Sequence, residues 1–380
     1  MKILIITGIF PPDCGGPATY IPILAGELHK RNHDIRVITL SQESTMTTNT
    51  FSYQVHRIKR KQMKALRFFK TICSIIKTGN ACDLIFANGI FLEPVVGNLI
   101  LNKPLIHKFV GDYAWEKAQS MKWTEDTFEE FQKKKHSFHI EAMKKIRTFC
   151  AKRSQRIIVP SNFLKSVVEQ WGISTEKINV VYNAAEEIPE SSTDSSLPLA
   201  TRYKLIYAGR LVKWKNVDKL IELIAEMQDT GLIIAGEGEE KSSLMNLAKK
   251  LKVQDKIYFA GYKPKTELYA LMKKSDLFIL FSNYEGFPHI LLEAMSTGVP
   301  VISTDAGGTG EIMQDGINYL RVEKNNSVLL REAVGKVLSN KSLYTSLIEG
   351  GKKTAAALSV NKMINETEAL FVETINQSNT

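Results

Sequence analysis

The sequence has few of the residues that would indicate a zinc site, a disulfide scaffold or a membrane span. Its 380 residues include only four cysteines, none in a Cys-x-x-Cys pair or in a Cys/His cluster with zinc-ligand spacing. All four lie in the first half, which is a poor disulfide framework and favours a reducing, cytoplasmic compartment. No apolar run reaches the roughly 20 residues of a spanning helix. The cysteines are Cys14, Cys73, Cys82 and Cys150.

The N-terminal segment MKILIITGIFPP also lacks a signal-peptide cleavage site, so we interpret it as a buried strand.

Basic residues outnumber acidic residues in the first half of the chain but not in the second. Residues 1–185 carry 27 Lys+Arg and 15 Asp+Glu, a net of +12, and the remainder carries 23 and 25, a net of −2, which together give the +10 of the whole chain. We therefore expect an anionic partner for the first half.

Apolar segments of strand length alternate with helical segments through both halves, which predicts βαβ units and parallel sheets covered on both faces. Helices are predicted at about 19–31, 63–77 and 360–376. The strands predicted in the first half are KILIIT, DIRVITL, YQVHRI, DLIFAN, PLIHKFV, RIIVPS and NVVYNA. Those predicted in the second half are KLIYAGR, GLIIAGEG, KIYFAGY, LFILFS and VPVIST.

A segment rich in Ser, Pro and acidic residues separates the two halves and has linker composition. A length of 380 residues also favours two domains. We predict a first Rossmann-like domain over 1–185, a linker over 186–200, a second Rossmann-like domain over 201–358, and a C-terminal helix over 359–380 that returns to the first domain. Parallel sheets of this kind bind ligands at the carboxyl ends of their strands.

The segment NYEGFPHILLEAMSTGVPVIST follows one predicted strand and holds two glutamates, Glu285 and Glu293. Pro288 suits the first turn of a helix, whose N–H groups near Phe287 to Ile290 would form an anion site. Glu293 lies in an apolar run and needs hydrogen-bonding partners there. A ribose diol would supply two donors, and a neighbouring lysine is an equally good alternative.

Two other segments have ligand-binding character. In GRLVKWKN, Arg210 and Lys215 follow a strand and suit a diphosphate, with a solvated basic loop as the alternative, and Lys213 between them fits that alternative. In PPDCGGPATYI, Gly15 and Gly16 would let a ligand approach the backbone ahead of a helix, although a plain tight turn explains them equally well.

Together with AGEGEE, FAGYKPKTEL and VPSNFLK, these segments resemble, in order and over essentially the whole chain, the retaining GT-B glycosyltransferases of the group 1, or family 4, type. The resemblance implies an α/β fold of two Rossmann-like domains facing a central cleft, with the C-terminal helix packing back on the first. It implies transfer of a hexose-type sugar from a UDP- or GDP-sugar to a glycan or lipid-linked acceptor, in cell-envelope or surface polysaccharide synthesis. Retention would proceed by front-face attack through an oxocarbenium-like state, and no metal or other cofactor is expected.

The resemblance also implies the roles of single residues. Arg210 and Lys215 would hold the donor diphosphate and stabilise the leaving nucleotide. Glu285 would contact the transferred sugar, and Glu293 would hold the ribose. Further donor contacts are expected at Gly15, Gly16, Gly261, Tyr262, Gly286, Phe287, Pro288 and His289.

The first domain departs from the family pattern at the end of PLIHKFVGDYAWE. Many relatives carry a histidine near the sugar where Val110 stands here. We expect Asp112, two residues on, to take over contacts with donor sugar or acceptor and to count among the catalytic residues. His107 is the other candidate, but packing within the strand region suits it better. Asn183 is expected at the crossing between the domains.

The stretch from Arg57 to Lys77 mixes eight cations with Phe68, Phe69, Ile72, Ile75 and Ile76. Such a helix can lie on an anionic membrane surface, so we hypothesise peripheral docking at the inner face of the membrane. The alternative is an ordinary covering helix with a solvated basic face. Nucleic acid is not expected as a partner, because no nucleic-acid motif accompanies the charge.

Three other functions compete with sugar transfer. A nucleotide-sugar epimerase or a phosphorylase could share the fold. Gly236 and Gly238 superficially suggest a Rossmann oxidoreductase, but Lys241 stands where the dinucleotide fingerprint needs its third glycine. A non-catalytic sugar- or lipid-binding protein would bind the donor without consuming it, so turnover distinguishes it.

Overall fold

A computed structural model describes residues 1–13, 15–42, 51–186, 188 and 197–379. The chain divides into two compact units, one made of Met1–Tyr182 with Asn361–Thr380 and the other of Asn183–Val360. Cys14 and most of the predicted linker, 187 and 189–196, lie outside the described residues.

The described part of the first unit holds a parallel sheet of seven strands, and almost every residue of its central strands is buried because helices cover both faces. The strands are β1 Lys2–Thr7, β2 Asp34–Ser41, β3 Gln54–Lys59, β4 Leu84–Asn88, β5 Leu105–Lys108, β6 Arg156–Val159 and β7 Ile178–Val180. Their order is β3-β2-β1-β4-β5-β6-β7. The order therefore reverses between β1 and β4, where such sheets open a crevice for ligands.

Seven helices precede the linker within the described residues: α1 Gly16–Lys30, α2 Lys64–Gly79, α3 Leu92–Leu101, α4 Tyr113–Ser120, α5 Phe128–Lys133, α6 Phe138–Arg153 and α7 Asn162–Gln170. Three of them share one core. Ile75 of α2, Val95 of α3 and Cys150 of α6 pack in a single apolar cluster with Leu4 and Ile85 of the sheet. These three helices therefore cover the same face of the sheet.

The second unit repeats the architecture with six described strands. The strands are β8 Tyr203–Ala208, β9 Thr230–Ala235, β10 Ile257–Gly261, β11 Leu277–Leu280, β12 Val301–Thr304 and β13 Leu320–Val322, in the order β10-β9-β8-β11-β12-β13. The helices are α8 Val217–Glu226, α9 Lys241–Lys250, α10 Lys265–Lys273, α11 His289–Thr297, α12 Ser327–Ser339 and α13 Lys341–Ala357. The order reverses between β8 and β11, so the loops after these two strands are neighbours.

The last helix, α14 Val360–Asn379, packs on the first unit, as predicted. Phe371 packs against Phe86 of β4 with ring centroids 5.3 Å apart, and Glu368 lies 2.6 Å from His33. The predicted α/β architecture of two parallel sheets is confirmed. Among the described helices, none combines the length and the apolar character that a bilayer span requires.

Candidate functional site

The loops that follow β8 and β11 meet at the carboxyl edge of the second sheet. Lys215 Nζ donates to Glu285 Oε1, and both side chains are about nine-tenths buried, with 12% and 8% of their surface exposed. The backbone N–H of Asn283 donates to the carbonyl of Trp214 at 2.8 Å, which fixes one loop against the other. Two predicted site residues are thus brought into direct contact.

Arg210 lies on the same loop but in a different environment. Its side chain is exposed and its guanidinium lies 5.7 Å from the centroid of the Trp214 ring. Its backbone is fixed because Tyr207 Oη donates to the Arg210 carbonyl at 2.8 Å. The loop therefore holds one cation that pairs with Glu285 and one, Arg210, whose side chain is exposed.

Glu293 lies in the second turn of α11 and is 7% exposed. Lys265 Nζ is 3.0 Å from Glu293 Oε1 and also donates to Glu186 Oε1. Burial raises the pKa of Glu293, and the charge and hydrogen bond of Lys265 oppose that rise, with a smaller contribution from Tyr269. Of the two alternatives for Glu293, the described structure shows the lysine pair.

The backbone positions predicted to contact the donor flank these side chains. Pro288 is the N-cap of α11, one residue ahead of the first helical residue, His289. The carbonyl of Phe287 accepts from Asn183 Nδ2 at 3.1 Å, within the second unit. The carbonyl of Glu285 accepts from the Gly308 N–H at 3.1 Å. The approach to α11, including Gly286, is therefore held by its neighbours.

Gly261 ends β10 and Tyr262 follows it, at the same edge of the sheet. Gly261 has φ +67°, a conformation that favours glycine, and Tyr262 is exposed. The Gly261 carbonyl accepts from the Gly236 N–H at 2.8 Å. A contact between these residues and a nucleotide base stays a prediction.

Gly15 and Gly16 lie in the first unit, at the N-terminus of α1. Gly15 is the N-cap, with φ +142°, and a Cβ added to Gly16 would meet nothing within 4 Å. Arg60 holds the preceding loop, because its guanidinium donates to the Gly8 carbonyl and to Asp13 Oδ2, both at 2.7 Å. The space beside Gly16 is open, and a donor contact at Gly15 and Gly16 stays a prediction.

Asp112 is a fully buried carboxylate. Its Oδ1 accepts from the Ala114 N–H at 2.9 Å and so caps α4. Its Oδ2 accepts from Gln132 Nε2 at 2.8 Å and from Arg147, with which it forms an ion pair. A substrate could reach this carboxylate only by displacing such partners, so the role predicted for Asp112 stays a prediction.

His107 packs inside the first unit, as the sequence favoured. Its Nδ1 lies 2.8 Å from Ser154 Oγ, and its ring packs against Phe91 and Phe109. Burial lowers the pKa of His107 to about 4. The next residue, Lys108, is buried over the Tyr20 ring, and burial lowers its pKa to about 7.

The Gly-x-Gly segment after β9 has a packing role. A Cβ on Gly236 would lie 1.9 Å from the carbonyl oxygen of Gly209, and one on Gly238 would lie 2.2 Å from that of Leu211. Both glycines are needed for the loops after β8 and β9 to touch, without any ligand.

Over the described ranges, no group of three or more His, Cys, Asp and Glu is placed to hold a metal ion.

Sequence reasoning missed two cations next to its candidate carboxylates, Lys265 beside Glu293 and Arg147 beside Asp112. Lys265 lies in KPKTEL, where the pattern does not distinguish it from Lys263. A buried arginine among the lysines of α6 leaves no signal in the hydropathy pattern either. Tertiary contacts, and not the local sequence, decide which cation pairs with each of the two carboxylates.

Comparison with known proteins gives the family. Residues 14–186 match the model of Glycosyltransferase Family 4, and residues 190–354 match the model of Glycosyl transferases group 1. The chain belongs to the group 1/family 4 glycosyltransferases. The residues Arg210, Lys215, Glu285 and Glu293 all lie within the group 1 match.

Relatives and solved structures agree with this assignment. An uncharacterized glycosyltransferase of Methanocaldococcus jannaschii is 26% identical over 383 residues, which cover 98% of either chain. The lipopolysaccharide core biosynthesis glycosyltransferase LpsE of Rhizobium meliloti is 33% identical over 146 residues, 38% of this chain and 42% of its own. The structure of Anabaena HepE in complex with UDP and glucose superposes with a TM-score of 0.81 at 19% identity, covering 98% of this chain and all of the other. The GT-B fold is thereby confirmed.

Proposed function

We propose that this glycosyltransferase moves a hexose-type sugar from a UDP- or GDP-sugar to a hydroxyl acceptor, with retention of the anomeric configuration and without a catalytic metal. The observation that carries the proposal is the meeting of Lys215 and Glu285 at the switch point of the second sheet, beside the exposed Arg210. The complex of the structural neighbour HepE with UDP and glucose supports this donor class.

On this proposal, the bond between the anomeric carbon and the β-phosphate oxygen breaks, and its electron pair stays on the leaving diphosphate. Arg210 and Lys215 stabilise the negative charge that develops there. The acceptor hydroxyl attacks the face that the phosphate leaves, and its proton passes to the leaving phosphate oxygen. Glu285 positions the sugar and stabilises the positive charge on the ring, so no side-chain nucleophile is needed.

The donor half of the proposal is tested by a thermal-shift panel of UDP, GDP, ADP and their sugar conjugates. A ligand that binds only the folded state at a hundredfold excess over its Kd raises stability by roughly 2.7 kcal/mol. We expect one nucleotide to shift the parent, a much smaller shift for Lys215→Ala, and the parental shift for Lys213→Ala, a matched change on the same turn. No shift with any nucleotide, from a folded sample, would contradict the proposed donor site.

Turnover then separates the competing functions. The proposal predicts loss of donor together with transfer to an added acceptor, and an α- or β-linkage that matches the donor. Loss of donor with a second nucleotide sugar as product, and no acceptor, would indicate an epimerase. Donor binding without consumption would indicate a sugar-binding protein.

A membrane-linked acceptor, such as a glycan or lipid-linked sugar of the cell envelope, completes the proposal. The relative LpsE acts in lipopolysaccharide core biosynthesis, which supports this class of acceptor. Within the stretch from Arg57 to Lys77, α2 exposes Leu66 and Phe69 beside exposed lysines. Peripheral docking through α2 is tested by cosedimentation of the protein with anionic vesicles, and no binding would contradict it.

Two of the eight cations between Arg57 and Lys77 make hydrogen bonds within the fold. Arg60 holds the loop after β1, and Arg67 donates to the Arg60 carbonyl at 3.4 Å. Lys64, Lys70 and Lys77 are exposed on the helix. These three lysines are therefore the positions to change in a docking variant.

A further inference from the structure

The apolar surface of the first unit extends beyond α2. Because α2, α3 and α6 share one core cluster and pack side by side, their outer faces look to the same side. On α3, Leu99 and Ile100 are 57% and 70% exposed. On α6, Ile146 and Phe149 are 45% and 42% exposed. Large apolar side chains therefore reach solvent from all three neighbouring helices.

Cations surround these apolar side chains on α6. Lys145, Lys152 and Arg153 are exposed, and their spacing with Ile146 and Phe149 places them along one side of the helix. Arg153 lies over the Phe149 ring at 5.5 Å. The same mixture of lysines with Leu66 and Phe69 occurs on α2. Apolar side chains interleaved with cations are typical of surfaces that lie in the headgroup region of anionic bilayers.

We infer that α2, α3 and α6 together form one docking surface for an anionic lipid bilayer, to which α6 contributes as much charge as α2. This inference rests on the proposed membrane contact and extends it to a second basic helix. The charge of the first half, +12 by its Lys, Arg, Asp and Glu, gives the complementarity with an anionic surface. We name this surface the three-helix face, and its members are Leu66, Phe69, Lys70, Lys77, Leu99, Ile100, Lys145, Ile146, Phe149, Lys152 and Arg153.

The test compares the binding of four proteins to vesicles of phosphatidylcholine with and without phosphatidylglycerol. They are the parent, an α2 variant, an α6 variant and a control on the second unit. The α2 variant carries Lys70→Glu and Lys77→Glu. The α6 variant carries Lys145→Glu and Lys152→Glu. The control carries Lys249→Glu and Lys250→Glu, which are exposed lysines of α9.

We expect the α2 and α6 variants each to lose on the order of 100-fold in partitioning to anionic vesicles, and the control to bind like the parent. Equal thermal unfolding and nucleotide binding would show that the variants are folded. If only the α2 variant loses binding, the inference is overturned while docking through α2 stands. If the parent binds no anionic vesicle, the inference of a three-helix docking surface and the proposed docking through α2 are both wrong.

A separate observation concerns Lys265, which lies between two carboxylates of the second unit, Glu186 and Glu293. The titratable groups that face Glu293 are Lys265 and Tyr269 of α10 and Glu186. From α13, Lys352 lies against Gly298, at the far end of α11. Without the Lys265 cation, a buried carboxylate would face a second negative charge and would take up a proton more readily.

The geometry points to Lys265 as a positioning residue that keeps the Glu293 carboxylate charged and oriented for a ribose. This inference rests on the proposed ribose contact of Glu293. Its readout is the pH dependence of nucleotide affinity, because a merely structural lysine would change affinity equally at every pH.

The nucleoside diphosphate that stabilises the parent most is titrated calorimetrically between pH 5.5 and 8.5. We expect Lys265→Met to bind about tenfold more weakly at the acidic end, to recover as the pH rises, and Lys265→Arg to restore the parental profile. The control is Lys263→Met, because Lys263 pairs with the exposed Glu267 at 2.9 Å. A Lys265→Met profile parallel to that of the parent overturns the inference. Parental affinity in Glu293→Gln overturns the ribose contact itself.

Discussion

The two parallel sheets use charged side chains differently at their carboxyl edges. In the second unit, Lys215 and Glu285 meet across the switch point, and Arg210 beside them is exposed. In the first unit, Lys108 ends β5 and Asp112 follows it. Both are buried, Lys108 over an aromatic ring and Asp112 in a helix cap and an ion pair. The same topology thus leaves a cation exposed at the edge of one sheet and buries its charges within the fold at the edge of the other.

Arg210 should show the largest effect on turnover with the least effect on stability. Removing one preorganised donor to a developing negative charge costs about 10²–10³-fold in rate. We expect that loss of kcat/KM in Arg210→Ala, and a change in the free energy of unfolding below about 0.5 kcal/mol because the side chain is exposed. Steady-state kinetics and denaturant unfolding measure the two quantities.

Arg202→Ala is the matched control, since Arg202 is also exposed and lies over an aromatic ring, that of Tyr203 at 4.9 Å. Its kinetics should equal those of the parent. Equal losses in both variants would mean that surface charge in general, and not the loop after β8, supports turnover.

Asp112 should behave in the opposite way. Asp112→Ala leaves the buried Arg147 guanidinium without its carboxylate and removes a helix cap, so we expect a loss of about 3–5 kcal/mol in the free energy of unfolding. Adding Arg147→Met should recover part of that loss, which a double-mutant cycle measures. If Asp112→Ala instead unfolds like the parent but no longer turns over, Asp112 contacts substrate, and the contrast between the sheets breaks down.

The contrast between the sheets also reflects what sequence patterns can and cannot predict. Twelve strands followed from apolar runs, because buried parallel strands are apolar over their whole length. β13 was missed, since it spans only Leu320–Val322 and carries an arginine. Pro288 was placed one residue too far into its helix, because an N-cap proline and a first-turn proline give the same local pattern.

Site residues were easiest to predict where the backbone alone sets their position. Arg210 and Glu285 each follow a strand end, so the topology brings their loops together. The partner of a buried carboxylate depends on which side chain turns inward, and neither Lys265 nor Arg147 differs in its local sequence from exposed neighbours. For the same reason, no sequence signal indicated that Asp112 is buried, and its contact with donor sugar or acceptor stays a prediction.

His107 should make stability depend on pH in the first unit. Its folded pKa of about 4 lies below the ordinary 6.5, so the folded state holds it neutral while the unfolded state takes up a proton. The contribution of the neutral His107 to the free energy of unfolding is therefore fully present above pH 6.5 and is lost as the pH falls towards 4. The difference between the two pKa values corresponds to about 3 kcal/mol of that free energy. His107→Gln should flatten the pH dependence of unfolding over this range, whereas His139→Gln, at an exposed site, should not.

The smallest effect is expected where the second unit only resembles a ligand site. Lys241→Gly would complete the Gly-x-Gly-x-x-Gly pattern that begins at Gly236. Because a Cβ at Gly236 or Gly238 would collide with backbone carbonyls, these glycines serve loop packing, and the completed pattern gains no room for a pyrophosphate. We expect calorimetry to detect no binding of NAD. We also expect the free energy of unfolding to fall by about 1 kcal/mol or less, because glycine weakens the first turn of α9 and the exposed pair with Glu237 is lost. Measurable NAD binding would mean that the loop after β9 can open, and that this loop, in addition to the loops after β8 and β11, can bind a ligand.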